Sequence, residues 1–183
     1  ILAQMARHRV TTSSGSPAFY ARLAAWCSAR GEPLPLRLWT GGAPVYPPLA
    51  AELESLTAGR AHVVYGSTEA EPIAGIGAGE MVRVMAAGVD AGICCGPPVP
   101  QVEVRIIRRV EGPVELRAAG WAEWEVPPGE TGEIVVAGAH VLGEYLHAPE
   151  ETRRHKIRDG GRSGHRTGDA GRLDVHGRIW LMG

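Results

Sequence analysis

Lysine is nearly missing from this sequence: Lys156 stands alone among 183 residues, and arginine carries the rest of the positive charge. Nineteen Lys and Arg face twenty Asp and Glu, for a formal net charge of −1. A balance so close to zero gives no electrostatic pull toward nucleic acid or an anionic membrane. The arginine bias of an alanine- and glycine-rich chain reads as coding preference, not as a binding surface. Cysteine is scarce too. Cys27, Cys94 and Cys95 are odd in number and two are adjacent, which excludes a disulfide framework and implies a reducing, cytoplasmic setting. No run is apolar and long enough to span a bilayer, and no signal-peptide pattern is present. The seven histidines lack metal-ligand spacing: neither His140 with His147 nor His155 with His165 belongs to a motif such as His-Glu-x-x-His, so they read as solvated or loop residues. The glycine-rich "GGRSGHRTGD" has no lysine where a Walker loop needs one. The sequence opens on Ile1 and stops at Gly183 straight after an apolar run, so a piece of a longer protein is expected.

What is present is globular, with 44% hydrophobic and 21% charged residues. The first half alternates helical and strand signals. Ser16-Pro17 combines a hydroxyl cap with proline at the first helical position. Phe19, Leu23 and Trp26 follow at helical spacing, and Gly31 offers a stop. Residues 34–40 read as a strand broken by Gly41-Gly42-Ala43-Pro44. Leu49, Leu53 and Leu56 mark a second helix closed by Gly59, and 61–65 is the next strand. Both the glycine break and "YGST" then fall at the strands' C-terminal ends, the edge where open α/β sheets bind ligands.

After about residue 92 the period changes. Val102, Val104 and Ile106 alternate with Glu103 and Arg105, and "GEIVVAG" (132–138) and "GRIWLMG" (177–183) are short strands between turns. Residues 114–116 and 172–174 offer two more. The expected architecture is a partial open α/β sheet over residues 1–92, followed by a small, distorted β-barrel over 93–183.

One segment imitates a dinucleotide fingerprint. In "GIGAGEMVRVMAAGVDAGI" Gly75 and Gly77 fit the first two positions and Asp90 lies at a tolerable distance. Glu80, however, occupies the third glycine's place, and its carboxylate would repel a pyrophosphate. A flexible loop is the better reading.

Four further segments are ordinary turns when taken singly: "TGGAP" (40–44), "YGSTE" (65–69), "GEIVVAG…GEY" (132–145) and "RTGDAGRLDVHGRIWLMG" (166–183). Together and in this order they resemble the adenylate-forming superfamily of acyl-CoA synthetases, luciferases and peptide-synthetase adenylation domains. The resemblance runs from about residue 10 to the end. It implies that Gly42, Ala43 and Pro44 lie against one face of an adenine whose other face Tyr65 covers, next to Gly66. It further implies that Thr68 reaches the α-phosphate, Glu69 holds Mg²⁺, and Asp169, in a Thr-Gly-Asp turn, accepts both ribose hydroxyls. By family position the acyl pocket is lined near Ser14, Trp39, Gly41, Val64 and Pro72, mostly small or apolar residues that suit a hydrophobic acid.

The implied chemistry is ATP-dependent: a carboxylate attacks the α-phosphate, pyrophosphate leaves, and a thiol such as coenzyme A or an internal hydroxyl takes the acyl group. "GICCGPPVPQVEVRII" adds a likeness to fatty acyl-AMP ligase relatives in olefin biosynthesis, which make β-lactones from hydroxy acids. The family's phosphate loop, the arginine expected after residue 183 and the small C-terminal domain with its lysine are not in the chain. Its expected partners are therefore the other parts of the same enzyme, a nucleotide and a small acid. Two alternatives stay open: a non-catalytic nucleotide-binding module, and an NAD-dependent oxidoreductase resting on the Gly75 segment.

Overall fold

A computed structural model describes residues 1–87 and 92–183; Asp90 lies outside the described residues. The chain divides into two units, Ile1–Val64 with Gly75–Ile93, and Tyr65–Ala74 with Cys94–Gly183.

The first unit holds α1 (Leu2–Arg7), β1 (Thr12–Gly15), α2 (Pro17–Ser28), β2 (Arg37–Thr40), α3 (Pro47–Thr57) and the start of β3 (Ala61–Ser67). β1, β2 and β3 are parallel neighbours joined by the helices α2 and α3, with Ser14 opposite Trp39 and Trp39 opposite His62. Helix α2 starts where expected: the Phe19 amide donates to Ser16 Oγ at 3.3 Å, and Pro17 fills the first position. Its buried face is Tyr20, Leu23, Ala24 and Cys27, whereas Phe19 and Trp26, expected with Leu23 on the core stripe, are exposed. The i, i+3, i+4, i+7 set that wins includes small residues that let the helix lie close to the sheet. Helix α3 ends through Ala58 and Gly59, both in the left-handed region (φ 50° and 82°), a common helix stop.

β4 (Ala70–Gly77) returns beside β3 and runs into α4 (Ala78–Ala86). Gly75 and Gly77 are therefore the end of a strand, and Glu80 sits in the first turn of a helix, where a carboxylate suits the helix dipole. Over residues 75–86 the expected loop is replaced by regular structure.

The second unit is built on β5 (Ile93–Gly96), β6 (Val102–Ile107), β7 (Gly132–Gly138), β8 (Lys156–Asp159), β9 (Arg162–Leu173) and β10 (Ile179–Leu181), with α5 (Pro149–His155) leading into β8. The strand order is β5-β10-β9-β7-β6, with β8 on β9, and the pairs around β9 and β7 are antiparallel. The sequence pointed to a small barrel; the pairing shows an antiparallel sheet. Ile107, Val114, Val135 and Ile157 form its buried cluster, flanked by Trp121 and Trp124. Residues 114–116 are not a strand, although Val114 is buried, and 172–174 belong mostly to the end of β9.

The register of β9 on β7 shifts between Glu133, opposite Ala170, and Val135, opposite Arg166. Thr167, Gly168 and Asp169 thus form a bulge inside a strand, not the turn expected from their composition. Gly168 takes φ 80°, and Thr167 Oγ1 bonds Ile134 O at 3.0 Å and receives the Asp169 amide at 3.1 Å. Bulges re-aim side chains and recur beside functional sites. Next to it, the buried Arg166 guanidinium binds the Glu133 carboxylate (2.6 Å at its shortest) and donates to the carbonyls of Val110, Gly112 and Arg154. One side chain thereby ties the bulge to β7, to the loop after β6 and to α5.

Candidate functional site

Thr68 and Glu69 are the two turn residues between β3 and β4. Gly66 precedes them because a side chain there would strike Glu71 and the Ala70 carbonyl of the returning strand. Thr68 is exposed and Glu69 half-buried. The hairpin tip is fixed from the segment after β7: Leu142 N donates to Glu69 O at 2.8 Å, Tyr145 Oη donates to Glu69 Oε1 at 2.9 Å, and His140 Nε2 lies 3.1 Å from Pro72 O.

Tyr65 Oη donates to Asp169 Oδ2 at 2.6 Å, so the end of β3 meets the β9 bulge. Burial, reinforced by the Asp169 carboxylate, pushes the Tyr65 phenol far above its usual range and keeps the proton on the donor. Within this unit the structure therefore brings together Tyr65, Gly66, Thr68, Glu69, Pro72 and Asp169.

Around Glu69 stand Tyr145, Lys156 and His165, a grouping that the sequence reading did not make. Burial, with Glu69 as the interacting charge, pushes the Tyr145 phenol up to about 12. Burial alone would raise Glu69; the Tyr145 hydrogen bond and the glutamate's own backbone amide outweigh it and hold the carboxyl below its usual range. Lys156 Nζ lies 5.0 Å from the Tyr145 ring centroid. Lys156 is opposite His165 across β8 and β9. Both are buried, at 4% and 3% exposure, and neither Lys156 Nζ nor His165 Nδ1 has a hydrogen-bond partner among the described residues. Burial pulls Lys156 down, and burial with the neighbouring Lys156 pulls His165 down to about 4. The reading of His165 as a solvated histidine is thus corrected. Gly160-Gly161 between two short runs is a two-residue hairpin signal that would have placed Lys156 and His165 face to face.

In the first unit, Ser14 and Trp39 are cross-strand partners, and the half-buried Trp39 ring stacks on His62 (centroids 5.5 Å apart, 19° between planes). Gly41 has no room for a side chain, because a Cβ would overlap the Val64 carbonyl. Residues 42–44 leave the end of β2 exposed, with Gly42 at φ 77°.

The model of one protein family, described as AMP-binding enzyme, matches residues 1–146. The chain belongs to the AMP-binding enzyme family. It is 38% identical over 188 residues to an olefin β-lactone synthetase from Stenotrophomonas maltophilia (strain K279a), covering 97% of this chain and 33% of that protein. Among solved structures it matches the amide bond synthetase McbA from Marinactinospora thermotolerans (TM-score 0.74, 27% identity, 98% of this chain and 33% of that one). It also matches ATP-bound MatB from Rhodopseudomonas palustris (TM-score 0.68, 26% identity, 96% and 31%). The chain thus spans about a third of the length of the relatives it matches. None of its described helices is long and apolar enough to cross a membrane.

Proposed function

We propose that this chain is part of an ATP-dependent acyl-activating enzyme that converts a hydrophobic carboxylic acid to its acyl-adenylate. The second unit corresponds, on this reading, to the curved, barrel-like subdomain expected from the sequence, and the first to part of the open α/β sheet. The observation that carries the reading is the Tyr65–Asp169 hydrogen bond, which joins an aromatic face to a carboxylate across the motifs.

Tyr65 stacks on adenine and Asp169 accepts the two ribose hydroxyls, while residues 42–44 of the first unit keep the adenine-contacting role that the family resemblance implies. Tyr65 holds one Asp169 oxygen in place and leaves the carboxylate lone pairs to spare for the sugar. Thr68, exposed at the hairpin turn, donates to an α-phosphate oxygen. The substrate carboxylate attacks the α-phosphorus in line and pyrophosphate leaves, so the protein's work is positioning and charge neutralisation.

Glu69 suits Mg²⁺: it is a half-exposed oxygen donor held in its ionised form. No cluster of three or more His, Cys, Asp or Glu able to cage a metal occurs among the described residues. That fits a cation bound by one carboxylate together with nucleotide phosphates. Mg²⁺, when bound, neutralises charge on the departing pyrophosphate.

Ser14, Trp39, Gly41 and Val64 of the first unit, and Pro72 of the second, carry the family's acyl-pocket positions. The likeness to an olefin β-lactone synthetase favours a fatty or hydroxy-fatty acid, with an internal hydroxyl or coenzyme A as acceptor. The test is AMP against 2′,3′-dideoxy-AMP in calorimetry on the full-length parent protein. AMP should bind at least tenfold more tightly, since each hydrogen bond to a charged acceptor is worth about 1.5–3 kcal/mol. Equal affinities would remove Asp169 from the site.

A further inference from the structure

Lys156 is the chain's only lysine, and its ammonium is buried without a hydrogen bond to any of the described residues. A charge placed so costs several kcal/mol unless something answers it. Three observations say what does. Nζ sits over the face of Tyr145, whose hydroxyl ends on Glu69 Oε1. Glu69 is the carboxylate whose field acts on the ammonium. Nζ is closed off from solvent, so a dissolved anion has no direct approach to it. His165, its cross-strand partner, adds no negative charge.

We propose that Lys156 is the resident counter-cation of Glu69, a positioning residue that weakens the hold of Glu69 on a free divalent ion. This rests on the reading of Glu69 as a metal-holding carboxylate. An ammonium whose field reaches the carboxylate offsets part of its charge and repels a second cation. Glu69 alone then binds Mg²⁺ poorly, and the ion arrives with the nucleotide, whose phosphates supply the missing negative charge. Tyr145 is the spacer: its ring holds the ammonium off the carboxylate, and its hydroxyl fixes the carboxylate's orientation.

The experiment titrates Mn²⁺ into the full-length parent protein without nucleotide, following the free-ion signal by electron paramagnetic resonance. Wild type, Lys156→Met, Lys156→Arg and Glu69→Gln are compared, and AMP affinity is measured for each. Lys156→Met should bind Mn²⁺ at least about fivefold more tightly, the effect on a divalent ion of removing one unit charge that acts on the same carboxylate, even at high effective dielectric. Lys156→Arg, which keeps the charge, should stay within about twofold of wild type, and AMP affinity should not move in either. Should Lys156→Met fail to fold by circular dichroism, Lys156→Gln carries the same comparison. Unchanged or weaker Mn²⁺ binding in the neutral variant, with the site still abolished by Glu69→Gln, would overturn the role of Lys156 alone. A wild-type Mn²⁺ affinity indifferent to Glu69→Gln would overturn the metal role of Glu69, and this inference with it.

Discussion

Tyr65 and Asp169, separated by 104 residues, share a 2.6 Å hydrogen bond in which the phenol donates to the carboxylate. A neutral donor on a charged acceptor is stronger than an ordinary hydrogen bond. Tyr65→Phe should lower stability by about 1.5–3 kcal/mol, read from urea midpoints. It should also weaken AMP in the parent protein, because Asp169 loses the contact that orients it. Tyr65→Ala should weaken AMP further, since base stacking on an aromatic ring is worth about 1–3 kcal/mol. Phe and Ala variants with the same AMP affinity would show that no base stacks there.

The buried Arg166–Glu133 pair is predicted to be costly to break from one side. Arg166→Met strands the Glu133 carboxylate and three carbonyls, and should destabilise by about 3–5 kcal/mol. The double variant Arg166→Met/Glu133→Leu should recover most of that loss. A double variant as unstable as the single one would mean that the loop carbonyls, not the charge, dominate.

Acid should destabilise the chain before its carboxylates titrate. His165 is neutral in the folded state down to about pH 4, whereas an unfolded histidine protonates near pH 6.5. Between those values the unfolded state binds more protons, so stability falls as pH falls, by about 2 kcal/mol at pH 5. Glu69, held below its usual range, adds its own loss only at lower pH. Chemical denaturation of wild type and His165→Gln from pH 7 to 5 reads this directly. The slope should flatten in the variant; equal slopes would place the titration elsewhere.

Glu69→Gln in the parent protein should cut adenylation by about 10²–10³ and shift AMP affinity less than about threefold, because charge neutralisation matters most in the transition state. Pyrophosphate exchange near the wild-type rate would remove Glu69 from the chemistry.

Much of the fold was legible because local signals agreed with the tertiary outcome. β7 spans residues 132–138 as its glycines bracket it, and α2 starts at Pro17 behind its serine cap. The Gly75 segment misled because a strand end leading into a helix carries the same glycines as a loop. "RTGD" has the composition of a turn, and only its pairing with β7 shows that it is a bulge within β9. The order of motifs placed Tyr65 and Asp169 in one candidate site, and the structure puts a hydrogen bond between them. Lys156, Tyr145 and His165 stood out in the sequence only as the one lysine, the end of a motif and one of seven histidines, because nothing local announces their burial around Glu69. An isolated lysine reads as surface until a hairpin folds it against an aromatic ring.

The most direct test of the proposed function is ATP–pyrophosphate exchange by the full-length parent protein with a panel of fatty, hydroxy-fatty, aryl and amino acids. The account predicts exchange that requires Mg²⁺ and a hydrophobic carboxylic acid, fastest with the fatty or hydroxy-fatty members, and lost on substituting Glu69. Residues 1–183 alone, about a third of the relatives' length, should show none above background. Absence of acid-dependent exchange from a folded, AMP-binding parent protein would contradict the account.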